Sequence, residues 1–587
     1  MADSAQTRYN RFLLLVAGLG GLLYGVDVGI IAGALPYLEA TSGLSSGKLS
    51  FIVAAVLLGS VISTLFAGML ADWMGRKLLM ACSGILFVAS IPVIALAHGY
   101  EPLVFGRLLQ GVSAGLIGVV VPLYLAECLG AADRGKGTGI FQWLLTLGIV
   151  AAAIIGMYFS RRVDQVAKLG NAAELFAFKD SAWRGIFWVS LPPGILFVIG
   201  SFMVAESPRW LFRENKKEAA LAALLRSRSE QQAAVELEEM ETTAAAERDR
   251  SGKGSQARES LFRRKYVIPF VLACIILACN QATGVNSIIG YNTTILLQGG
   301  LSDVQAHLCY VILTTVNFLV TIGAVVLVDK KGRKFLLSLG SAGIIVTLLC
   351  VGFLFRQTES RHVDRSEAVQ AMVTTSNQTL SVSYNPHLAS AMLSSGAPAN
   401  FPTTLVIIYS YGDFRGSTQP VRSDDKTAKP VTITRADCVP DNKVIAFFSN
   451  PFADFDAAKS APLKIENALI TPVPSEQTGW LVATCLFAFM AFFAVGPGVC
   501  VWLALSELMP TRIRSNGMSI ALLINQAVST TIAAIFLPTV GRYGYSTMFF
   551  AFAGCTVIYF ITAAFFLLET KGKTLEEIEA HFEGQPR

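Results

Sequence analysis

Asp72-Trp-Met-Gly75-Arg76-Lys77 and Asp329-Lys-Lys-Gly332-Arg333-Lys334 are one hexapeptide, Asp-x-x-Gly-Arg-Lys, met twice, each time after a long apolar segment. A second pair repeats in the same way: Glu127 stands seven residues before Arg134, and Glu507 seven before Arg514. The chain therefore carries two copies of one membrane unit, and internal repeats of this kind mark secondary transporters. The hexapeptides lie 257 residues apart and the Glu–Arg pairs 380, so the second copy holds 123 additional residues between its motifs. The polar stretch 356–478 has that length.

Composition agrees. Hydrophobic residues make up 53% of the chain and charged residues 15%, with a mean hydropathy of +0.54. Water-soluble domains carry about 25% charged residues. A span needs about 20 mostly apolar residues, which predicts helices near 12–35, 49–71, 78–97, 103–126, 137–160, 184–205, 266–297, 306–328, 335–355, 479–505, 516–538 and 545–568. The first run lacks a small-residue cleavage site and is read as an uncleaved span. The expected organisation is an N-terminal six-helix half (1–205), a charged linker (206–265) and a C-terminal six-helix half (266–587) interrupted by 356–478.

The net charge of +6 matters through its distribution. Basic residues crowd the amino terminus and every second loop, at Arg76 and Lys77, Arg134 and Lys136, Lys330 to Lys334, and Arg512 and Arg514. That is the positive-inside pattern of a multi-pass protein of the plasma (cell inner) membrane with both termini cytoplasmic. The fifth-to-sixth loop, with Arg161, Arg162, Lys168 and Lys179, departs from it in part. Nucleic-acid binding is a poor reading of such charge, so the expected partners are the lipid bilayer and a small molecule, with the protein a monomer. The ten cysteines show no paired spacing, most sit in apolar runs, and no metal ligand set is expected.

The linker holds 13 Lys/Arg and 11 Asp/Glu, with helix-forming runs at 214–226 and 230–248 before a flexible Ser-Gly-Lys-Gly-Ser at 251–255. The insertion is rich in Ser, Thr, Asn and Pro, with strand-like patches at 404–410 and 431–434. A small β-rich extracytoplasmic domain and a partly ordered loop are both open readings. Asn377-Gln-Thr is a glycosylation sequon only in a host that glycosylates.

Further motifs follow in order. The first span reads Gly20-Gly-Leu-Leu-Tyr24-Gly-Val-Asp27, the fourth runs from Gly106-Arg107 to Pro122-Leu-Tyr-Leu-Ala-Glu127, and Glu206-Ser-Pro-Arg209 follows the sixth. The seventh holds Asn280-Gln281-Ala-Thr-Gly284-Val-Asn286, the tenth Gly496-Pro-Gly498 and Trp502, and Glu569-Thr-Lys-Gly-Lys-Thr574 follows the twelfth. This set resembles the sugar porter family of the major facilitator superfamily, over nearly the whole chain apart from linker and insertion. The resemblance implies an all-α membrane protein with the major facilitator fold, twelve transmembrane helices in two pseudo-symmetric six-helix halves.

A carboxylate in a span costs about 2.5–3.5 kcal/mol and persists only when paired or facing water. Asp27 lies about 22 Å along an outward-running helix and Arg107 about 6 Å below the outer end of an inward-running one. In a core of about 30 Å the two depths nearly coincide. In proton-coupled members of the family an Asp at this place, beside the Arg, carries the proton, and passive members have a neutral residue. Asp27 and Arg107 are thus the expected coupling pair, with the proton as coupling ion and no other cofactor. A permanent structural ion pair is the alternative.

The resemblance nominates Gln142, Asn280, Gln281, Asn286, Tyr291, Asn317, Trp502, Asn525, Gln526 and Tyr24 for the sugar. Amides offer donors and acceptors to a polyol, although any one of them could serve helix–helix contacts. Gln526 stands where the family often has Trp, Gly290 where it often has Tyr, and Ile149 where xylose-transporting members have a glutamine. Ile149 favours a hexose over a pentose, whereas Gln526 suits a more hydroxylated ring such as inositol. Arg76, Glu127, Arg134, Glu206, Arg209, Arg333, Glu507 and Arg514 resemble the family's cytoplasmic gate, which joins the halves in the outward-open state and parts in the inward-open one. Exposed pairs contribute about 0–1 kcal/mol each, so only a network could act as a latch. The expected activity is proton-coupled uptake of a neutral monosaccharide by alternating access. The alternatives are an uncoupled facilitator, a proton/myo-inositol symporter and a non-transporting nutrient receptor. No nucleophile–base set suggests an enzyme.

Overall fold

The computed structural model describes residues 2–129, 134–252, 264–393, 402–425, 430–440, 442–443, 446, 450–509, 514–569 and 582. Within helices, the side chains of 2–5, 134–138, 243–252, 265, 325, 329, 502–507, 514–516 and 519 lie outside the description. The first six membrane helices are M1 (Ala2–Ser42), M2 (Ser46–Met74), M3 (Arg76–Ala95), M4 (Tyr100–Cys128), M5 (Arg134–Ala167) and M6 (Ala172–Met203). M7 comes in three pieces (Arg264–Ala282, Val285–Gly290, Asn292–Gln298). M8 (Asp303–Lys331), M9 (Arg333–Glu359) and a two-piece M10 (Glu476–Val495, Pro497–Leu508) follow. The last helical run, Arg514–Ile561, has 48 residues. At 1.5 Å per residue it is more than twice the ~30 Å of a bilayer core. Gly544 divides it with φ 84° and ψ 165° into M11 (514–543) and M12 (545–561, then a π turn to Phe566).

The helices run longer than the apolar spans predict. M5 continues to Ala167 and M6 begins at Ala172, so the expected fifth-to-sixth loop shrinks to four residues. Charged residues there extend the helices beyond the hydrocarbon, as in the i,i+4 pair Lys168–Asp164 at 2.7 Å,. In the linker, Pro208–Arg213, Lys217–Ser227 and Glu230–Gly252 are helical, and residues 253–255 of the expected flexible stretch lie outside the described residues.

The two repeats have one backbone geometry. Gly75 has φ 90° and ψ 162°, and Gly332 has φ 88° and ψ 161°. Each ends one helix and starts the next, a left-handed turn that L side chains resist. The start is capped by a distant carboxylate. Glu206 accepts from the Arg76 and Lys77 amides at 2.9 and 3.1 Å, and Glu569 from the Arg333 and Lys334 amides at 3.0 Å each. The M11–M12 turn uses the same device at the other end of the bundle, where Glu359 accepts from the Ser546 amide at 3.2 Å and from its hydroxyl. Membrane interiors offer few other partners for such orphan amides.

Helix packing is close where small residues meet: a Cβ on Gly148 of M5 would stand 2.3 Å from the Leu22 carbonyl of M1,. The cores are distributed unevenly. At the end of the bundle nearest the insertion one apolar cluster runs through both halves, from Ile30 and Leu49 to Ile288, Leu348 and Phe549. At the linker end each half keeps its own, around Leu79, Phe87 and Tyr124 in one and Leu337, Met509 and Tyr559 in the other. Among the described residues, the halves share one core at the insertion end and keep separate cores at the linker end.

Between Glu359 and Glu476 the chain folds as a β-rich layer. β7 (Leu463–Pro472) pairs antiparallel with β1 (Val363–Asp364) and β3 (Thr403–Tyr411), and β3 pairs with β4 (Phe414–Ser417) and β5 (Val421–Arg422). β2 (Leu380–Val382) and β6 (Val431–Ile433) form a second ribbon. Leu405, Ile407, Tyr409, Tyr411, Ile465 and Ile470 build its own core, so of the two open readings the folded one holds. Burial pushes the Cys438 thiol up to about 12, chiefly by desolvation, and no cysteine is in a disulfide. The layer docks on the helices through Ser46 to the Ser417 carbonyl (3.0 Å), Arg542 to the Arg415 carbonyl (2.9 Å) and Lys179 to Asp425 (3.8 Å). Asp425 thereby meets part of the basic charge of the fifth-to-sixth region. A cleft of about 860 Å³ remains between layer and helix ends.

Gly544→Ala would bring a Cβ within 2.6 Å of the Glu359 carboxylate and force an unfavourable φ. The expected cost is about 1–3 kcal/mol, read as a lower apparent Tm of the purified protein. Gly323→Ala in M8, with nothing within 4 Å of its Cβ, should leave the Tm unchanged.

Candidate functional site

Asp27 and Arg107 meet. Oδ1 of Asp27 is 3.8 Å from Nη1 of Arg107, and the side chains are 1% and 2% exposed. The pair is loose. Arg107 donates instead to Gln110 Oε1 at 2.7 Å and faces the Phe187 ring at 5.7 Å, and neither Asp27 oxygen has a hydrogen-bond donor. The site can carry a carboxylate opposite a guanidinium or a neutral carboxyl beside it.

Tyr24, one helical turn before Asp27, faces Gln526 of M11 across the halves. Asn286 donates to Gln281 Oε1 at 2.9 Å and to Ser529 Oγ at 2.8 Å, which ties the broken M7 to M11. The break at Gly284 (φ 81°) sets Gln281 and Asn286 on successive pieces so that their amides meet,. Asn280 is buried with its Oδ1 unpartnered. Trp143 stacks on Phe318 at 5.6 Å, which sets the neighbouring Gln142 and Asn317 at one level on M5 and M8. Gln142 is exposed, whereas Thr146, Ile149 and Ala153, further along the same stripe of M5, are buried. The stripe passes from an exposed position at Gln142 into the buried interface between the halves. Asn525 is buried and donates to the Leu277 carbonyl at 3.5 Å, a helix–helix contact in this conformation. Tyr291 is also fully buried, stacked on Phe536 at 4.5 Å and bonded to the Ala533 carbonyl at 2.9 Å. It belongs to the seal between the halves.

Hydrogen bonds between the halves gather at the insertion end. Tyr310 donates to the Gly29 carbonyl at 3.0 Å, Thr293 to the Ala32 carbonyl, and Tyr37 to Asp303 at 2.7 Å. Ser50 of M2 accepts from the Leu537 amide at 3.1 Å and from Tyr291 at 3.3 Å.

At the linker end the described charge contacts stay within a half. Arg76, 2% exposed, binds Glu127 through Nε (2.8 Å) and Nη2 (2.9 Å), and Asp72 at 3.0 Å. Glu127 also accepts from Ser207 and from Arg213 at 3.4 Å. Arg209 is exposed, and Arg213, one turn on, takes the place expected for it. Arg333 meets Glu569 through its amide. The side chains of Arg134, Trp502, Glu507 and Arg514 lie outside the described residues. Residues that sequence reading missed here are Asp72, Ser207, Arg213 and Arg228, the last buried and donating to the Cys128 carbonyl at 2.6 Å. Asp72 and Ser207 stand inside quoted motifs, whereas Arg213 and Arg228 carry no local signal.

Two six-helix halves that share one core at the insertion end, with a loose buried ion pair and a set of amides inside, make up a polytopic membrane bundle. A profile of the family described as "Sugar (and other) transporter" matches residues 13–377 and 466–582, leaving out most of the β-rich layer. The chain belongs to this family, the sugar porters of the major facilitator superfamily, a family of transporters and not of enzymes. It is 25% identical over 577 residues to the glucose transporter GlcP of Staphylococcus epidermidis, covering 97% of both chains. It is 26% identical over 595 residues to the human proton myo-inositol cotransporter, covering 99% of this chain and 83% of that one. Its fold is that of the inward-open xylose transporter XylE from E. coli, with TM-score 0.63, 20% identity and coverage of 97% and 98%.

Glu127→Ala leaves the buried Arg76 with only the exposed Asp72 as counter-charge and should cost up to about 3–5 kcal/mol, whereas Asp72→Ala, at a carboxylate 60% exposed, should cost under about 1 kcal/mol. Apparent Tm values of the two variants check the ranking.

Proposed function

We propose that the protein carries a neutral monosaccharide, a hexose in the first instance, together with a proton into the cell. The observation that carries this reading is the buried, donor-free Asp27 held 3.8 Å from Arg107, one helical turn from the Tyr24–Gln526 contact between the halves. Protonation cancels the charge of Asp27 and releases Arg107, so a proton and a sugar bound nearby act on the same M1–M4 contact. A neutral polyol is met by Gln142, Gln281, Asn286, Asn317 and Gln526, which supply donors and acceptors without charge. The myo-inositol reading stays beside the hexose one, because Gln526 adds an amide and one relative is a proton myo-inositol cotransporter.

In this reading the linker end is cytoplasmic, both termini lie there, and the β-rich layer stands outside the plasma membrane. The conformation is inward-open. The Arg76–Glu127 and Arg333–Glu569 sites, with Arg134, Glu507 and Arg514, join across the halves when the protein faces outward. The protein works as a monomer. The proton adds about 2.3 kcal/mol per 100 mV of membrane potential to uptake.

In proteoliposomes, Asp27→Asn should abolish accumulation against a gradient while counterflow persists. Accumulation at the wild-type level would reject the coupling role. Asn286→Ala should raise the half-saturating sugar concentration about tenfold or more, the equivalent of ~1.4 kcal/mol, and counterflow titrations with a panel of hexoses, pentoses and inositols would rank the substrates.

A further inference from the structure

We infer that the β-rich layer is a clasp that holds the insertion end shut, closing over the seam between M2 and M11. By its chain the layer belongs to the C-terminal half. Three-residue stems, 360–362 and 473–475, join it to M9 and M10. The second stem packs on the same half, since a Cβ on Gly300, in the turn before M8, would run into the Pro474 carbonyl. The stems lead into β1 and β7, which pair with each other; β7 pairs with β3, and β3 with β4 and β5. Beyond β5 the Ser423 amide still donates to the Thr403 carbonyl of β3 at 2.8 Å. A hydrogen-bonded path therefore ties the segment 417–425 to M9 and M10, and the segment moves with them.

That segment grips the other half. Ser50 of M2 accepts from the Leu537 amide of M11 at 3.1 Å. One turn nearer the insertion on each helix stand Ser46 and Gly541, and Ser417 of β4 lies between them. Ser46 donates to the Ser417 carbonyl at 3.0 Å in a buried contact. Gly541 admits Ser417 Oγ because it has no Cβ to fill that space, and the neighbouring Arg542 holds the Arg415 carbonyl at 2.9 Å. The second grip is on M6, where Lys179 stands 3.8 Å from Asp425, the side chains being 15% and 35% exposed. Ser46 and Lys179 belong to the N-terminal half, whereas the segment is held to M11, M9 and M10. Parting the halves at this end pulls Ser46 from Ser417 and Lys179 from Asp425. Contacts made in the closed state and lost in the open one shift the equilibrium toward closure by their own free energy. The insertion thus stabilises the conformation in which the insertion end is sealed.

This inference rests on the alternating-access reading of the proposed function. The test uses the full chain in liposomes, with spin labels on the insertion ends of M2 and M8 reporting the closed-to-open ratio. Ser46→Ala removes the donor and leaves a good helix former in the first turn of M2, and the ratio should fall about fivefold. Lys179→Glu should lower it about two- to fivefold, and adding Asp425→Lys should restore it. Asp456→Ala, which breaks an exposed pair with Lys443 inside the layer, should leave it unchanged. A label at the exposed Phe452 of the layer should keep one distance to M8 in both populations and move away from M2 in the open one. An unchanged ratio in Ser46→Ala, no recovery in the exchanged pair, or a layer label that stays with M2 as the halves part would overturn the clasp. If counterflow is absent from the same vesicles while Ser46→Ala still shifts the ratio, the carrier reading fails and the clasp stands.

Discussion

Inside a hydrocarbon layer no water is at hand to meet a charge or an orphan amide, so each must find its partner within the protein. Much of this molecule is arranged around that demand. Glu206, Glu569 and Glu359 each reach back over a distant stretch of chain to cap the helix that starts after a left-handed glycine. Such a cap fixes the angle between two helices and neutralises the positive end of the second. The duplicated hexapeptide is the sequence trace of this device. Its glycines differ by only 2° in φ and 1° in ψ between the halves, which shows that the repeat is one of backbone geometry as well as of letters.

The same demand gives the two ends of the bundle different partners. At the insertion end, polar groups on M1, M2 and M5 are satisfied by M7, M8 and M11, and one apolar core spans the two halves. At the linker end each half satisfies its own charges, with Arg76 enclosed by Asp72 and Glu127. Moving to the opposite conformation exchanges one set of partners for another. Uncompensated loss of several buried hydrogen bonds would cost several kcal/mol, so the exchange has to be concerted. Asp27 sits where the two sets meet and is the one carboxylate in the membrane interior left without a hydrogen-bond donor among the described residues of the M1–M4 contact.

The β-rich layer obeys soluble-protein rules. Its core is Leu, Ile and Tyr from β3 and β7: Leu405, Ile407, Tyr409 and Tyr411 alternate strictly along β3, whereas the register shift opposite Ile408 and Tyr409 adds a residue to β7, so that Leu463 and Ile465 face inward as do Ala468 and Ile470. It meets the helices through a few polar contacts and leaves a cleft rich in carboxylates between them. Among the described residues of that lining, the cations Lys179 and Arg422 pair with Asp425 and Asp424.

The sequence by itself determined the twelve spans, the duplication and the pairing of Asp27 with Arg107. These follow from local rules: about 20 apolar residues to cross a bilayer, 1.5 Å of rise per residue to set depth, and the cost of a lone carboxylate. The M11–M12 break was legible because 539–544 interrupts the apolar run. The tertiary structure alone decided which distant groups complete each site. Asp303 joins Tyr37 from 266 positions away and Ser160 from 143, Glu359 caps a turn 187 positions on, and Arg213, not Arg209, reaches Glu127. Whether Asn525 and Tyr291 face a cavity or a seal was equally out of reach. The face each residue shows is fixed by how the halves lean together, not by the residues on either side of it.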